Sequence, residues 1–430
     1  MEEKLIIGIQ ERPASIVKWI VLSLQHVFAM FGATVLVPLI TGLDIGVALV
    51  ASGLGTLIYI ICTKGKVPVY LGSSFAYMTT ITATATASGS FDSSLVGLMV
   101  VGLIYIVVAL IIRFAGSDWL KQLLPPVVIG PMIIIIGLGL AGVAVSNIGL
   151  SNNAFNGEVA AVALITFIAV SAMAVYGKGF IKIVPFLLAI LVGYIAAILF
   201  GIVDYTIFEN VAFFQVPNFQ FVGTYDFNME AVAIFAPLAF VTIAEHIGDH
   251  VVLGEITGKD FIKDPGLDKT LMGDGIATLV AGAIGGPANT TYGENTGVVA
   301  ITKVGSVYVT GLAAVFAILL GFFGYIQAFI SSIPWAVIGG MTVVLYGLIA
   351  ANGVKVLIKD RTDLGNMKNL IIVSTMLVLG LGGASIQMTA TAALSGMSLA
   401  AVVGIVLNLI FNGFNTHIKK SPSSIGSGMN

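Results

Sequence analysis

One run of nine residues, Ala244-Glu-His-Ile-Gly-Asp-His-Val-Val252, puts two carboxylates and two imidazoles into apolar surroundings. The i, i+4 spacing places Glu245 and Asp249 on one face of a helix and His246 and His250 on the next. A third carboxylate, Glu294, lies in Pro287-Ala-Asn-Thr-Thr-Tyr-Gly-Glu-Asn-Thr-Gly297, and Gln25, His26 and Asp274 stand in other apolar runs. The cation nearest to Glu294 along the chain is Lys303. Carboxylates without a cation beside them in low dielectric can carry protons, and they accept hydrogen bonds from N–H donors. A neutral, planar, N–H-rich ligand suits such a set, and an anion would be repelled. Each residue also has a purely structural reading. Glu245 and Glu294 would bond helix ends, and Asp249 would tie its helix to a neighbour. His26, His246 and His250 read as helix–helix hydrogen-bonding groups. Asp274 either caps a helix or takes part in function, and Phe75 and Tyr346 read from the residues alone as packing. His246-x-x-Asp249-His250 has the spacing of an inverted zinc motif, but that motif uses Glu and needs a third ligand. With Cys62 the single cysteine and only His26 and His417 as further histidines, neither a metal site nor a catalytic centre is expected.

The elements that position these residues follow from composition. Of 430 residues, 58% are AVILMFWYC and 9% are charged, against roughly 25% charged in a soluble domain. A mean hydropathy of +1.06 excludes a soluble enzyme and a disordered chain. A net charge of −2 offers no basic surface for nucleic acid. What remains is an all-α polytopic membrane protein whose surroundings are the lipid bilayer. The stretch from Met1 to Pro13 is polar and the first apolar run is long, so no signal peptide is expected. A membrane helix needs about 20 apolar residues. Fourteen segments qualify as candidates: 16–40, 45–62, 70–87, 94–112, 124–145, 158–176, 181–203, 230–254, 270–286, 290–302, 307–331, 334–351, 368–384 and 397–413. The third is rich in Thr and Ser, and the tenth is short; Pro68 and Pro287 precede them.

With that count, all 19 Lys and Arg fall on one side. They occupy the N-terminus, every second loop (Lys64 and Lys66, Arg113 and Lys121, Lys178 and Lys182, Lys259 to Lys269, Lys303, Lys355 to Lys368) and the C-terminus. The other loops hold Asp44, Asp92, Glu158, Asp204, Glu209, Asp226 and Glu230 and no basic residue. The positive-inside rule then sets both termini in the cytoplasm. The chain also repeats itself. PPVVIGPMIIIIGLGLA (Pro125 to Ala141) aligns without gaps with PWAVIGGMTVVLYGLIA (Pro334 to Ala350), and G-x-x-T-L recurs at Gly53 to Leu57 and Gly275 to Leu279. Seven spans per half is odd, so the second half enters from the opposite side, as in the inverted repeats of secondary transporters. Gly72 to Thr80 and Pro287 to Gly297 are the matching interrupted segments. Each predicts a short extended stretch and then a half-helix whose N-terminus aims N–H groups at a central site.

Glu294-Asn-Thr-Gly-Val-Val-Ala-Ile-Thr302-Lys303 fits the signature [Q/E/P]-N-x-G-x₄-T-[R/K/G], and on it the chain resembles the nucleobase–ascorbate transporters (nucleobase:cation symporter-2). SLQHVFAMFGATVLVP (Ser23 to Pro38), GKVPVYLGSSFAY (Gly65 to Tyr77), AEHIGDH (Ala244 to His250), DPGL (Asp264 to Leu267), NTTYGENTGV (Asn289 to Val298) and LYGLI (Leu345 to Ile349) look like the bacterial uracil permeases. The likeness runs from about Glu11 to Asn412. It implies fourteen segments in two inverted sevens, with short β-strands in segments 3 and 10. It implies a core domain of about 14–112 and 229–332, a gate domain of about 113–228 and 333–413, and a cytoplasmic tail at 414–430. By matching positions, Glu245 and Glu294 would accept the uracil N–H groups and the backbone amides of Phe75 and Gly293 would meet its carbonyls. Ala33, Tyr292 and Tyr346 would line the pocket. The resemblance further implies proton coupling, a possible homodimer and no cofactor; Asp249, one helical turn from Glu245 on the same face, is with Glu245 and His246 the candidate carrier of the proton. At Asp249 those permeases have His. Glu at the head of the signature favours uracil, with xanthine or another purine nucleobase as the alternative substrate.

Overall fold

The computed structural model describes residues 5–150, 155–209, 211–227, 229–388 and 393–412; the 414–430 tail and His417 lie outside them. The chain is predominantly helical. In order, α1 is Ile16–Thr41, α2 Ile45–Cys62, β1 Leu71–Ser73, α3 Met78–Ser88, α4 Asp92–Ala115, α5 Asp118–Leu123, α6 Pro126–Gly139, α7 Ala141–Asn147, α8 Gly157–Tyr176, α9 Phe180–Ile183 and α10 Pro185–Leu199. Then follow α11 Met229–Thr257, α12 Leu267–Ala283, β2 Asn289–Thr291, α13 Gly293–Thr302, α14 Val307–Gly321, α15 Gly324–Ser331, α16 Trp335–Lys359, α17 Met367–Leu381, β3 Ser385–Gln387, β4 Ala393–Ser395 and α18 Gly396–Asn412. Among the described residues, seven helical stretches are long and apolar enough to cross a membrane; α10, α14, α17 and α18 are apolar but shorter.

Several apolar runs are broken where the sequence read them as continuous. The run 181–203 splits at Val184, since the residue before Pro185 is pushed out of the helical region. The run 124–145 gives α6 and α7, divided at Leu140, and 307–331 divides at Phe322 and Phe323. The run 270–286 ends at Ala283, ahead of Gly285 at φ 89°. The span read as 334–351 continues to Lys359, because its last turns are polar enough to leave the apolar run yet still helical.

Small residues set the closest helix contacts, as expected where backbones must approach without a hydrophobic drive between helices. A Cβ on Gly102 of α4 would lie 2.7 Å from the Gly275 carbonyl of α12, and one on Gly275 would lie 2.9 Å from the Gly102 carbonyl. Gly46 of α2 and Gly321 of α14 face each other in the same way, at 2.7 Å. Around these contacts α1, α2, α4, α11, α12 and α14 pack as one group. Helices α6, α7, α8, α10 and α16 pack as another, with α17 and α18 against α6.

Loop contacts separate the two ends of the bundle. At one end Ile6 N–H donates to Lys303 O (2.8 Å) and Val307 N–H to Ile9 O (2.9 Å). There too Lys66 pairs with Asp264 (2.6 Å) and Lys359 with Glu255 (2.5 Å). At the other end the stretch after α10 lies across four loops. Gln215 N–H bonds Phe322 O (2.8 Å) and Gln220 N–H bonds Ile284 O (3.3 Å). Asn218 N–H reaches Asp44 and Asp226 N–H reaches Asp92, each at 3.3 Å.

Candidate functional site

Strands β1 and β2 pair antiparallel, with Leu71 opposite Thr291, Gly72 opposite Thr290 and Ser73 opposite Asn289. The ladder extends one bond each way: Ser74 N–H to Ala288 O (2.9 Å) and Tyr292 N–H to Tyr70 O (3.1 Å). Exchanging 70–74 for 288–292 reproduces this pattern, so the pair has local two-fold symmetry. Buried backbone needs partners, and side chains of α2 and α12 supply them at the outer edges. Leu71 N–H donates to Thr56 Oγ1 (2.9 Å), and Ser52 Oγ donates to Leu71 O (2.7 Å). Thr278 Oγ1 donates to Asn289 O (3.1 Å). Thr56 and Thr278 are the threonines of the repeated G-x-x-T-L. Asn289 Nδ2 also donates to Ala51 O and Ala277 O, both at 3.2 Å.

Tyr292 fastens the pair. Its ring lies over Gly72, its hydroxyl donates to Ser73 O (2.9 Å), and Thr34 Oγ1 donates to that hydroxyl (3.3 Å). Both strands lead directly into helix starts, Phe75–Tyr77 with α3 and Gly293 with α13. First-turn amides of a helix have no intrahelical partner. Phe75 is half-buried and packs on three clusters: one contains Tyr346, another Ala33 and Tyr292, and the third Tyr77 and Ala244. Tyr346 is buried, and its hydroxyl has no hydrogen-bond partner. Gly293 is exposed, with open space where a side chain would stand.

Glu245 and Asp249 on α11 and Glu294 on α13 are each half-buried, close enough for their charges to interact. Thr291 Oγ1 donates to Asp249 Oδ2 at 2.6 Å. The next face of α11 is fully buried. His246 Nδ1 is 2.8 Å from Asp274 Oδ2, and the His246 and His250 rings stack with centroids 4.0 Å apart. His250 Nδ1–H donates to His246 O (2.6 Å), which leaves Nε2 to accept from the Tyr59 hydroxyl. Asp274 is therefore not a cap: it sits in mid-α12 with no exposure, on a histidine of α11. Asn295, the Asn of the signature, donates to His26 Nδ1 (3.0 Å) and His26 O (3.1 Å), joining α13 to α1.

A cavity of about 180 Å³ lies between α1, the α9–α10 stretch and α13, lined by Phe28, Lys182, Phe186, Glu294, Gly297 and Ile301 among others. The cation that shares a cavity with Glu294 is thus Lys182, not Lys303, which ends α13 in the left-handed region at φ 56°. Distance along the chain misled here, because α9 is remote from Glu294 in sequence yet packs against α13 and α1 as well as α8. The Asp249–Thr291 bond and the Tyr59–His250 pair were also missed by sequence reasoning. The crowding of hydroxyls in Asn289-Thr-Thr was the one signal for the first.

The family described as Permease family (Xan_ur_permease) matches residues 17–389. A uracil permease of Bacillus caldolyticus is 47% identical over 417 residues, covering 95% of each chain. A uracil permease of Bacillus subtilis (strain 168) is 45% identical over 419 residues, covering 95% of this chain and 96% of the relative. The murine Solute Carrier 26 family member A9 anion transporter in the inward-facing state superposes with a TM-score of 0.70 at 10% identity, over 95% of this chain and 70% of that one. At that identity the likeness concerns the fold alone.

Proposed function

The chain belongs to the permease family, and on that premise we propose that it imports uracil across the plasma membrane by proton symport. It is an integral multi-pass membrane protein and a transporter rather than an enzyme. One observation carries the substrate: identity of 47% to a uracil permease over nearly the whole of both chains. The site chemistry agrees with it. Glu245 and Glu294 accept the two ring N–H groups of uracil, and the amides of Phe75 and Gly293 meet its carbonyls. Ala33, Tyr292 and Tyr346 line the pocket, with Tyr292 contributing its ring because its hydroxyl is engaged with Ser73. The Phe75 side chain, which touches the clusters of all three, supports this grouping. Hydrogen bonds to a charged acceptor contribute more than neutral ones, so two carboxylates select a doubly N–H-bearing ring.

The architecture in this reading is fourteen segments in two inverted sevens. The two-fold bonding of 70–74 with 288–292, and the matched glycine contacts of α2 with α14 and α4 with α12, support it. The core domain is 14–112 with 229–332 and the gate 113–228 with 333–413, in line with the two packed helix groups. Transport proceeds by alternating access as these groups move against each other. Both termini face the cytoplasm, because the basic loops share one end. Asp249, Glu245 and His246 carry the coupled proton, and a homodimer is the proposed assembly. A competition panel tests the substrate. Labelled uracil uptake into proteoliposomes should be blocked by cold uracil and not by xanthine, hypoxanthine, cytosine or ascorbate. Block by xanthine at equal concentration would transfer the proposal to purines.

A further inference from the structure

We infer that Thr291 is a positioning residue through which the protonation of Asp249 reaches the strand that carries the binding half-helix. The inference rests on the proton-coupled uracil reading above. Thr291 is buried and ends β2; Tyr292, Gly293 and Glu294 follow it directly. Its 2.6 Å bond to Asp249 Oδ2 lies in the range of a hydroxyl donating to a charged carboxylate. An ionised carboxylate only accepts, whereas a protonated one carries a donor of its own. Proton uptake at Asp249 therefore weakens or reverses this bond. The hydroxyl proton can turn to suit either state, but a neutral pair rests at a longer O···O distance than a charged one, and a β-branched side chain, stiff about χ1, passes that lengthening to the strand backbone. The far end of β2 stays fixed, since Asn289 is held by α2 and α12. Movement is thus directed to the end that leads into Gly293 and Glu294.

The groups around Asp249 leave this bond as the one to change. Glu245 faces it from its own helix, Glu294 from α13 and Asp274 from α12. Asp274 is bonded to His246, and His250 is engaged with Tyr59. The local two-fold symmetry supplies an internal comparison. Ser73 occupies in β1 the place Thr291 has in β2, yet its buried hydroxyl has no hydrogen-bond partner. One strand is tied to a carboxylate and its symmetry mate is not, so a proton acts on the α13 side alone.

The test compares Thr291→Val, which removes the hydroxyl and keeps the branched shape, with Thr291→Ser, which keeps the hydroxyl. Both go into proteoliposomes beside the unaltered protein, for uracil counterflow exchange and for accumulation driven by a pH gradient. For Thr291→Val, counterflow should stay within about three-fold, while gradient-driven accumulation falls about ten-fold, the loss of one charge-assisted bond. Thr291→Ser should match the unaltered protein in both assays, and Asp249→Asn should reproduce the valine pattern. Gradient-driven accumulation unchanged in Thr291→Val, an equal fall in both of its assays, or failure of Thr291→Ser to restore coupling would overturn the inference. If the unaltered protein exchanges uracil but does not accumulate it under a gradient, the proton-coupled reading fails and takes this inference with it. If the unaltered protein and the valine variant both accumulate, only the role of Thr291 is lost.

Discussion

Replacing Gly72 with alanine should destabilise the strand pair that organises the site, by an amount the packing sets. A Cβ at Gly72 would stand 2.8 Å from the Tyr292 hydroxyl oxygen and closer still to two ring carbons. The ring has nowhere to go. It is 3% exposed, its hydroxyl donates to Ser73 O and accepts from Thr34, and it lies within the cluster of Ala33 and Tyr70. Overpacking of this kind costs about 1–3 kcal/mol. If the ring yields, two hydrogen bonds of about 0.5–1.5 kcal/mol each are lost as well. Together these give a cost of about 2–6 kcal/mol. A double-mutant cycle isolates the contact: Gly72→Ala, Tyr292→Ala and the pair, followed by unfolding in detergent. In the Tyr292→Ala background the added methyl meets no ring, and its cost should fall below about 0.5 kcal/mol, leaving a coupling energy of nearly the whole effect. Equal costs of Gly72→Ala in the two backgrounds would refute the reasoning.

Glu245→Gln and Glu294→Gln should each weaken uracil binding about 10- to 150-fold, since the new amide sets an N–H against a ligand N–H in place of a charged acceptor. Calorimetry on the purified variants checks this, and unchanged affinity in either removes that residue from the site. Sidedness is checked with single cysteines in a Cys62→Ser background. An impermeant thiol reagent on intact cells should label Phe227→Cys, at the acidic-loop end, and spare Met367→Cys; the reverse pattern would invert the topology.

Helix positions were legible because long apolar runs have one outcome in a bilayer, and helices such as Ile16–Thr41 and Ile45–Cys62 begin and end within a residue of the apolar limits. Breaks inside those runs were harder to see. Pro185 announces the one at Val184, but Leu140 and Phe322 carry no such signal. The G-x-x-T-L repeat was legible as a match and opaque as a cause: Thr56 and Thr278 recur because each serves the outer edge of a short strand, a role that needs the fold to be seen. Side-chain pairs between distant segments were the least legible. Asp249 with Thr291 joins a helix to a strand, and His26 with Asn295 and Tyr59 with His250 join helices far apart in the chain. Asp274 looked like a capping residue because it stands near the start of the apolar run 270–286. The glycines on either side of it let α4 and the α2 residues Tyr59 and Cys62 approach, and the carboxylate lies in the interior.

The central claim is that a pH gradient drives uracil inward through this chain. The most direct measurement is uptake of labelled uracil into proteoliposomes holding the purified protein, with the lumen more alkaline than the medium. The account predicts accumulation above the external concentration, collapse to equilibration on adding a protonophore, and no accumulation in protein-free vesicles. Uracil that equilibrates without concentrating, at the same rate with and without the gradient, would contradict it.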